Sequence, residues 1–248
     1  MPARGRAERS APSFDLRRKC AGGLALHGPA SDIAAIVRIV SAPFHDFQGV
    51  PMSASPRVAT RAVEPLFLDR WSPRAFDSSV IPQEDLDTIF DAARWAPSAF
   101  NYQPWRLLYA TRDSADWNRF LGLLLPFNQS WVQNASALVY ILSDTLIAAP
   151  GSEDYKPSHS HSFDAGAAWA LLALQATRLG YHTHAMSGVE FDKAQAELGV
   201  PDRFRIEAAV AIGRIGDKAI LPEALQAREA PSGRKDISEF VTAGNFPA

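Results

Sequence analysis

The sequence is poor in cysteine and in net charge, and it lacks any long apolar run. A single cysteine, Cys20, among 248 residues excludes an internal disulfide and is typical of a reducing compartment such as the cytoplasm. No uninterrupted apolar stretch approaches the ~18 residues that a membrane-spanning helix requires. The formal net charge of −2 gives no indication of nucleic acid or of an anionic membrane surface as a partner.

Motifs for several common kinds of site are also missing. There is no G-x-S-x-G motif to support serine hydrolysis, and no G-x-G-x-x-G motif to hold a nicotinamide on a Rossmann turn. Two H-x-H pairs, His159/His161 and His182/His184, could each place two imidazoles on one face of a strand and bind metal. Because no cysteine or carboxylate is clustered with them, we interpret them as surface or pocket histidines and predict no metal site.

Residues 1–51 differ from the rest of the chain. They contain seven Lys or Arg and only four Asp or Glu, with recurrent proline and glycine. We interpret them as a disordered leader, or as upstream sequence with Met52 as the true start; a targeting or regulatory arm is the alternative. Residues 52–248 are then predicted to form the functional domain.

Apolar periodicity predicts helices alternating with buried strands. The helix predicted over 83–96 has apolar residues at positions i, i+3, i+4 and i+7, and it ends before Pro97. Apolar runs of strand length predict four strands, at 105–110, 137–142, 181–185 and 206–212. A helix is predicted over 163–179, after a long polar loop at 144–162. Together these elements predict an α+β fold with a sheet sandwiched by helices.

The stretch from Arg70 to Trp105 carries the strongest chemical signal. It begins RWSPRAF, and the two-residue spacing of Arg70, Ser72 and Arg74 on an extended backbone points their side chains the same way. A helix then ends in the polar, proline-bounded loop PSAFNYQPW, the kind of loop that holds small polar ligands. Cations, hydroxyls, amides and flat apolar surface together indicate a phosphorylated aromatic cofactor. A solvated basic face and an ordinary helix-ending loop are the alternatives.

These two blocks resemble the opening of the nitroreductase family, whose members are FMN-dependent homodimeric oxidoreductases. The family pattern R-x-S-x-R-x-F, followed by A-P-S-x-x-N-x-Q-P-W, occurs here in that order. Two later blocks are also similar, around Asn128 and over MSGVEFDKAQAELGVP at 186–201. The resemblance runs from Glu64 to the C-terminus. It implies a central mixed sheet sandwiched by helices, in an intertwined homodimer.

The resemblance also implies which residues hold the cofactor. Arg70, Ser72 and Arg74 would grip the phosphate, the ribityl chain and the pyrimidine edge, and a cation at Arg74 would favour the reduced flavin. Trp71 stands where the family often has Arg or His. The full predicted set is Arg70, Trp71, Ser72, Arg74, Pro97, Ser98, Ala99, Asn101, Gln103, Asn128, Ser187, Gly188 and Arg234.

Within that set, the loop 97–103 would come from the partner subunit. Asn128 would bond the pyrimidine ring, the backbone at Ser187 and Gly188 would approach flavin N5, and Arg234 would reach the phosphate. The alternatives are a helix-capping role for Asn128 and a solvated tail for Arg234.

The resemblance implies an oxidoreductase in which hydride passes from NADH or NADPH, through flavin N5, to a small acceptor such as a nitroaromatic or a quinone. Hydride transfer requires no protein acid or base, so no catalytic side chain is assigned. Two alternatives stay open: a specialised flavin enzyme for dehydrogenation, dehalogenation or flavin breakdown, and a non-catalytic module that binds or stores flavin.

Overall fold

The computed structural model describes residues 55–247, so the predicted leader at 1–51 lies outside the described residues. The helices within this range are α1 (Pro65–Asp69), α2 (Gln83–Arg94), α3 (Trp117–Leu121), α4 (Pro126–Val132), α5 (His161–Arg178), α6 (Phe191–Glu197) and α7 (Glu223–Gln226). None of them is both long enough and apolar enough to span a membrane.

A four-stranded sheet forms the centre of the described domain. Its strands are β1 (Trp105–Thr111), β2 (Ala137–Asp144), β5 (His182–Met186) and β6 (Phe204–Gly213), in the order β1-β2-β6-β5. Two short strands, β3 (Leu146–Ile147) and β4 (Lys156–Pro157), pair as a separate hairpin. Strand β2 is buried along its whole length because it has a neighbour on either side and helices on both faces.

Side chains of β2 alternate between two apolar clusters. Val139 and Ile141 pack in a cluster with residues of α2 and α5, whereas Leu138 and Tyr140 pack in a second cluster with residues of α3 and α4. Helix α5 buries alanines and Leu172 against the sheet, which suits close packing of a helix on strands. The predicted α+β architecture, a sheet sandwiched by helices, is therefore confirmed.

Two expectations need correction. The family resemblance implied a mixed sheet, whereas every strand pairing among the described residues is antiparallel, because neighbouring strands alternate in direction. The loop predicted at 144–162 is not structureless, since it contains the β3–β4 hairpin and its last residues begin α5 at His161. Strands of two residues are too short for alternation to reveal them.

The segment that carries the predicted phosphate-binding side chains is fixed to the end of β6. Phe76, which is fully buried, forms an antiparallel bridge with Ile215, and the Gly216 N–H donates to the Ala75 carbonyl at 2.8 Å. A Cβ on Gly216 would stand 2.8 Å from the carbonyl carbon and oxygen of Phe76. Because those contacts are with backbone, only glycine lets the two segments approach this closely.

We therefore expect Gly216→Ala to destabilise the domain by about 1–3 kcal/mol, as overpacking against an immobile backbone does. Urea denaturation followed by tryptophan fluorescence measures this. Gly233→Ala is the matched control, because a Cβ there meets nothing within 4 Å. Equal stability of the two variants would contradict the proposed constraint at Gly216.

Candidate functional site

Five arginines converge on one cavity of about 320 Å³. We call it the arginine pocket, and it is lined by Arg57, Arg70, Trp71, Ser72, Arg74, His184, Arg228, Ala230, Ser232 and Arg234. Four residues predicted from the first sequence block are therefore brought together with Arg234 from the C-terminal segment. Arg70, Ser72 and Arg74, which have a two-residue spacing, line the same cavity, and so does Trp71 between them.

The positive charge of the arginine pocket is not balanced by the described part of the chain. None of its five guanidinium groups has a carboxylate oxygen within 4.0 Å among residues 55–247. Burial, then the charges of Arg57 and Arg234, lowers the pKa of Arg70. Burial and the charge of Arg228 likewise lower the pKa of Arg74, against the opposing effect of Glu229. Such repulsion is relieved when an anion binds.

Backbone acceptors hold these cations in place. Arg57 donates to the carbonyls of Arg70 at 2.7 Å and Ser232 at 2.8 Å, which ties the segment 55–70 to the C-terminal segment. Glu229 Oε1 accepts from the backbone N–H groups of Arg74 and Ala75. Arg74 Nε is buried and has no hydrogen-bond partner among residues 55–247. This buried donor therefore lacks an acceptor in the described part of the chain.

Sequence reasoning missed Arg57, Arg228 and His184, which also line the arginine pocket. Arg57 and Arg228 lie in stretches without a recognisable motif, and their approach depends on long-range contacts such as Arg57 with Ser232. The polar tail from residue 221 contains two arginines, Arg228 and Arg234, which is no excess over the rest of the sequence, so its composition gives no signal for Arg228.

The predicted loop 97–103 does not line the arginine pocket, and its backbone has an unusual conformation. Phe100, Asn101 and Gln103 have φ values of 53°, 54° and 52°, which side chains other than glycine rarely adopt. Ser98 Oγ accepts from the Gln103 N–H at 3.0 Å, and the buried carboxylate of Asp164 accepts from the Ala99 N–H at 3.1 Å. None of the loop residues lines the arginine pocket. The structure therefore does not unite the two halves of the predicted site within one chain.

Asn128 and Gly188 form a third part of the predicted set, and they contact each other. Asn128 is buried in α4, and its Nδ2 donates to the Gly188 carbonyl at 3.1 Å. A Cβ on Gly188 would lie 2.2 Å from Asn128 Nδ2, so a side chain cannot be accommodated there without displacing the asparagine. Asn128 thus orients the Ser187–Gly188 backbone, in addition to any bond that its oxygen makes to a ligand.

His182 and His184 lie on the same face of β5, beside the arginines. Burial, then the charge of Arg70, lowers the pKa of His182 to about 4. Burial, opposed by a hydrogen bond to the Pro73 carbonyl, lowers the pKa of His184 to about 4 as well. A neutral His184 donates Nδ1–H to Pro73 O at 2.9 Å, which fixes its tautomer. The described residues contain no group of three potential metal ligands.

We expect acid to destabilise the fold through these two histidines. In the unfolded chain a histidine binds its proton near pH 6.5, but in the fold His182 binds it only near pH 4, so stability is lost as pH falls between these values. Urea unfolding at about pH 7.5 and pH 5 should show a smaller difference for His182→Asn than for the wild type. His159→Asn, at an exposed position, is the control; an unchanged pH difference in His182→Asn would contradict the prediction.

Comparison with known proteins agrees with these features. The family model described as "Nitroreductase family" matches residues 68–214. An NADH dehydrogenase of Thermus thermophilus is 32% identical over 175 residues, covering 59% of this chain and 83% of that protein. The CLA biosynthesis enone reductase of Lactiplantibacillus plantarum is 26% identical over 188 residues, covering 62% and 86% of the two chains.

Among solved structures, an oxidoreductase containing FMN is 51% identical and superposes with a TM-score of 0.76, covering 79% of this chain and 98% of that one. The matched family region contains the segment 70–74, the loop 97–103, Asn128 and Gly188. This chain belongs to the nitroreductase family.

Proposed function

We propose that this chain is an FMN-dependent oxidoreductase that takes hydride from NADH or NADPH and passes it to a small organic acceptor such as a quinone or a nitroaromatic. The observation that carries the proposal is the arginine pocket, a cluster of five cations without a carboxylate partner in the described chain. Similarity to an oxidoreductase containing FMN and to an NADH dehydrogenase supports the cofactor and the electron donor. A cytoplasmic location accords with the single cysteine.

The residues present fit the phosphate of FMN. A phosphate monoester carries close to two negative charges, and guanidinium groups bind it through paired, charge-assisted hydrogen bonds. Arg70 and Arg74 approach from one segment, whereas Arg228 and Arg234 approach from the C-terminal segment, so the cavity can surround the phosphate. The unpartnered Nε of Arg74 would find its acceptor there.

The remaining residues of the predicted set would hold the rest of the cofactor. Ser72 would contact the ribityl chain, and the backbone at Ser187 and Gly188 would face the reactive edge, held in place by Asn128. When bound, FMN supplies two-electron hydride chemistry. The role of the chain is then to bind the cofactor, to orient it and to admit donor and acceptor in turn.

The experiment that tests the function begins with the absorbance spectrum of the purified protein. We expect the spectrum of bound, noncovalent FMN, and its bleaching on anaerobic addition of NADH or NADPH. Arg70→Ala and Arg74→Ala should each weaken FMN binding about 10- to 100-fold, since a hydrogen bond to a charged group contributes roughly 1.5–3 kcal/mol. Equilibrium dialysis or flavin fluorescence measures the Kd.

Arg119→Ala is the matched control for this measurement, because Arg119 is exposed, pairs with Asp116 and lies outside the arginine pocket. Full flavin content in both pocket variants would show that the phosphate site has been wrongly assigned. FMN that binds but is not bleached by either nicotinamide would instead favour a flavin-storage module.

We further propose that the working unit is an intertwined homodimer. The loop 97–103 lines no part of the arginine pocket, yet the family resemblance assigns it to the cofactor. Three large aromatic side chains at or beside this loop and at the start of α5 face solvent: Phe100 is 91% exposed, Phe163 82% and Trp95 71%. A second copy would bury them and would supply the loop to the partner's pocket.

Mixing two defective subunits tests this arrangement. One subunit carries Arg70→Ala with Arg74→Ala, and the other carries Asn101→Gly with Gln103→Gly, where glycine keeps the positive φ available. If each site uses the pocket of one subunit and the loop of the other, the mixed dimer has one intact site and binds one FMN. Each parent homodimer should bind FMN weakly. A mixed dimer without FMN, or a flavin-loaded monomer in light scattering, would overturn the shared site.

A further inference from the structure

A hydrogen-bonded chain of side chains lies apart from the arginine pocket, where β2, β6 and α5 meet. Glu207 Oε1 accepts from the hydroxyls of Ser143 at 2.6 Å and Ser162 at 2.7 Å. The Nδ1 of His161 lies 2.7 Å from Ser143 Oγ and 3.5 Å from Glu207 Oε1. All these groups are buried or nearly so: Ser143 is fully buried, and the side chains of His161 and Glu207 are 15% and 17% exposed.

An irregularity in the sheet places the carboxylate there. Ile141 of β2 pairs with Ala208, but the next residue, Leu142, pairs with Ile206, so Glu207 has no partner in the ladder. A bulge of this kind redirects one side chain and is common beside active sites. Here it turns Glu207 toward the first turn of α5, where Ser162 and His161 are located. An isolated carboxylate would be costly in this position, and the two hydroxyls offset that cost.

Counting hydrogen-bond donors fixes which of these side-chain atoms carry protons. A carboxylate only accepts, so Ser143 and Ser162 each use their single hydroxyl proton on Glu207. Ser143 Oγ must then accept from His161, which makes Nδ1–H the donor. The second imidazole nitrogen, Nε2, has no hydrogen-bond partner among residues 55–247, and it is not one of the buried unpartnered atoms. The His161 side chain as a whole is 15% exposed.

The order of the groups excludes a hydrolytic triad. In such a triad the carboxylate orients the histidine, and the histidine activates the serine hydroxyl. Here Ser143 stands between Glu207 and His161 and donates its proton to the carboxylate, so it is not activated as a nucleophile. The imidazole nitrogen that takes no part in these hydrogen bonds is His161 Nε2, and the chemistry available to it is proton transfer.

The hydrogen-bonded side chains border, through Glu207, a cavity that contains part of the predicted flavin site. Glu207 and Ser187 both line a cavity of about 660 Å³, together with Phe191, Phe204 and Arg205. Ser187 precedes Gly188, whose backbone is predicted to face the reactive edge of the cofactor. His161 is not itself a lining residue; its Nδ1 lies 3.5 Å from Glu207 Oε1, so one side chain, that of Glu207, connects the imidazole to this cavity.

We propose that His161, oriented by Ser143 and Glu207, donates a proton from Nε2 to the oxygen of an acceptor that is a conjugated carbonyl compound, a quinone or an enone. This inference rests on the proposed function. The acceptor gains a hydride, and with it two electrons, from the reduced cofactor, which is oxidised; the proton from the imidazolium neutralises the oxyanion that results. His161 is left neutral with its Nδ1–H unchanged, and Nε2 recovers a proton from solvent.

The charged groups facing His161 in the described structure support this role. Glu207 on β6 is the carboxylate nearest to Nδ1, and Arg205 on the same strand lies 3.7 Å from its other oxygen. The remaining contacts of the imidazole are the hydroxyls of Ser143 on β2 and Ser162 on α5. The imidazolium therefore faces a carboxylate, which it shares with the guanidinium of Arg205.

The proposal is tested by comparing electron acceptors that need a proton with an acceptor that needs none. FMN-loaded protein is reduced anaerobically and mixed with 2-methyl-1,4-naphthoquinone, with 2-cyclohexenone, or with ferricyanide, which takes single electrons and no proton. His161→Asn keeps an N–H near the position of Nδ1 and removes Nε2. We expect it to slow the two carbonyl acceptors about 10- to 100-fold, a typical loss for a general acid, and to leave ferricyanide within about twofold.

The pH profile supplies a second readout. The rate with the carbonyl acceptors should fall as pH rises in the wild type, because only the imidazolium donates, and this dependence should disappear in His161→Asn. Equal slowing of ferricyanide, or no slowing with either carbonyl acceptor, would overturn the proposal. A reduced wild-type protein that transfers to neither carbonyl compound would overturn the acceptor class, whereas failure of NADH and NADPH to reduce the bound FMN would overturn the proposed function.

Nitrogen NMR of the imidazole tests the hydrogen-bonded chain without any turnover. In flavin-free protein we expect neutral His161 in the Nδ1–H tautomer, and Glu207→Gln should weaken that preference, because an amide can donate and no longer obliges Ser143 to donate to it. Glu197→Gln, an exposed carboxylate on α6 that pairs with Lys193, is the matched control and should leave the tautomer unchanged. An Nε2–H tautomer in the wild type, or a tautomer ratio that Glu207→Gln does not alter, would contradict the assignment.

Discussion

Repulsion among the guanidinium groups of the arginine pocket is the constraint on which the rest of the site depends. The fold gathers these cations from three separate segments, at Arg57, at 70–74 and at 228–234, and anchors them on backbone carbonyls such as that of Ser232. Carbonyl acceptors fix a guanidinium in space without cancelling its charge. The described chain therefore holds a cluster of cations without a carboxylate beside their guanidinium groups, and a doubly charged phosphate would complete it at little cost in reorganisation.

Preorganisation of this kind requires that an irregular segment be held rigidly. The stretch 70–76 has no helix to stiffen it, so its position depends on Phe76, on the close approach of Gly216 and on the two backbone N–H groups bound by Glu229. The loop 97–103 is fixed independently, through Asp164 and through strained backbone angles. Each half is rigid by itself and the two do not share a cavity within one chain, which is why we assign completion of the site to a second copy.

The parts of this structure that the sequence could predict are those that depend on local spacing. Convergence of the side chains at 70–74 follows from a two-residue period, and the helix that ends at the loop follows from a period of 3.6 residues. Arg57 could not be predicted, because its position depends on contacts with a segment about 175 residues away. Glu207 could not be predicted either, because a bulge is a property of two paired strands and leaves no mark in one of them.

The histidines show how surroundings separate residues of one type into different roles. His182 and His184 lie among guanidinium groups and buried apolar surface, which keeps them neutral, so they cannot compete with the arginines for the charge of a phosphate. His161 instead donates its Nδ1–H to Ser143, which donates to Glu207, and its Nε2 takes no part in these hydrogen bonds. A site that must bind a dianion at one place and release a proton at another needs this separation. The β-bulge at Glu207 provides it: within residues 55–247, Glu207 is the one carboxylate within 4.0 Å of His161, and it lines the cavity of Ser187 but not the arginine pocket.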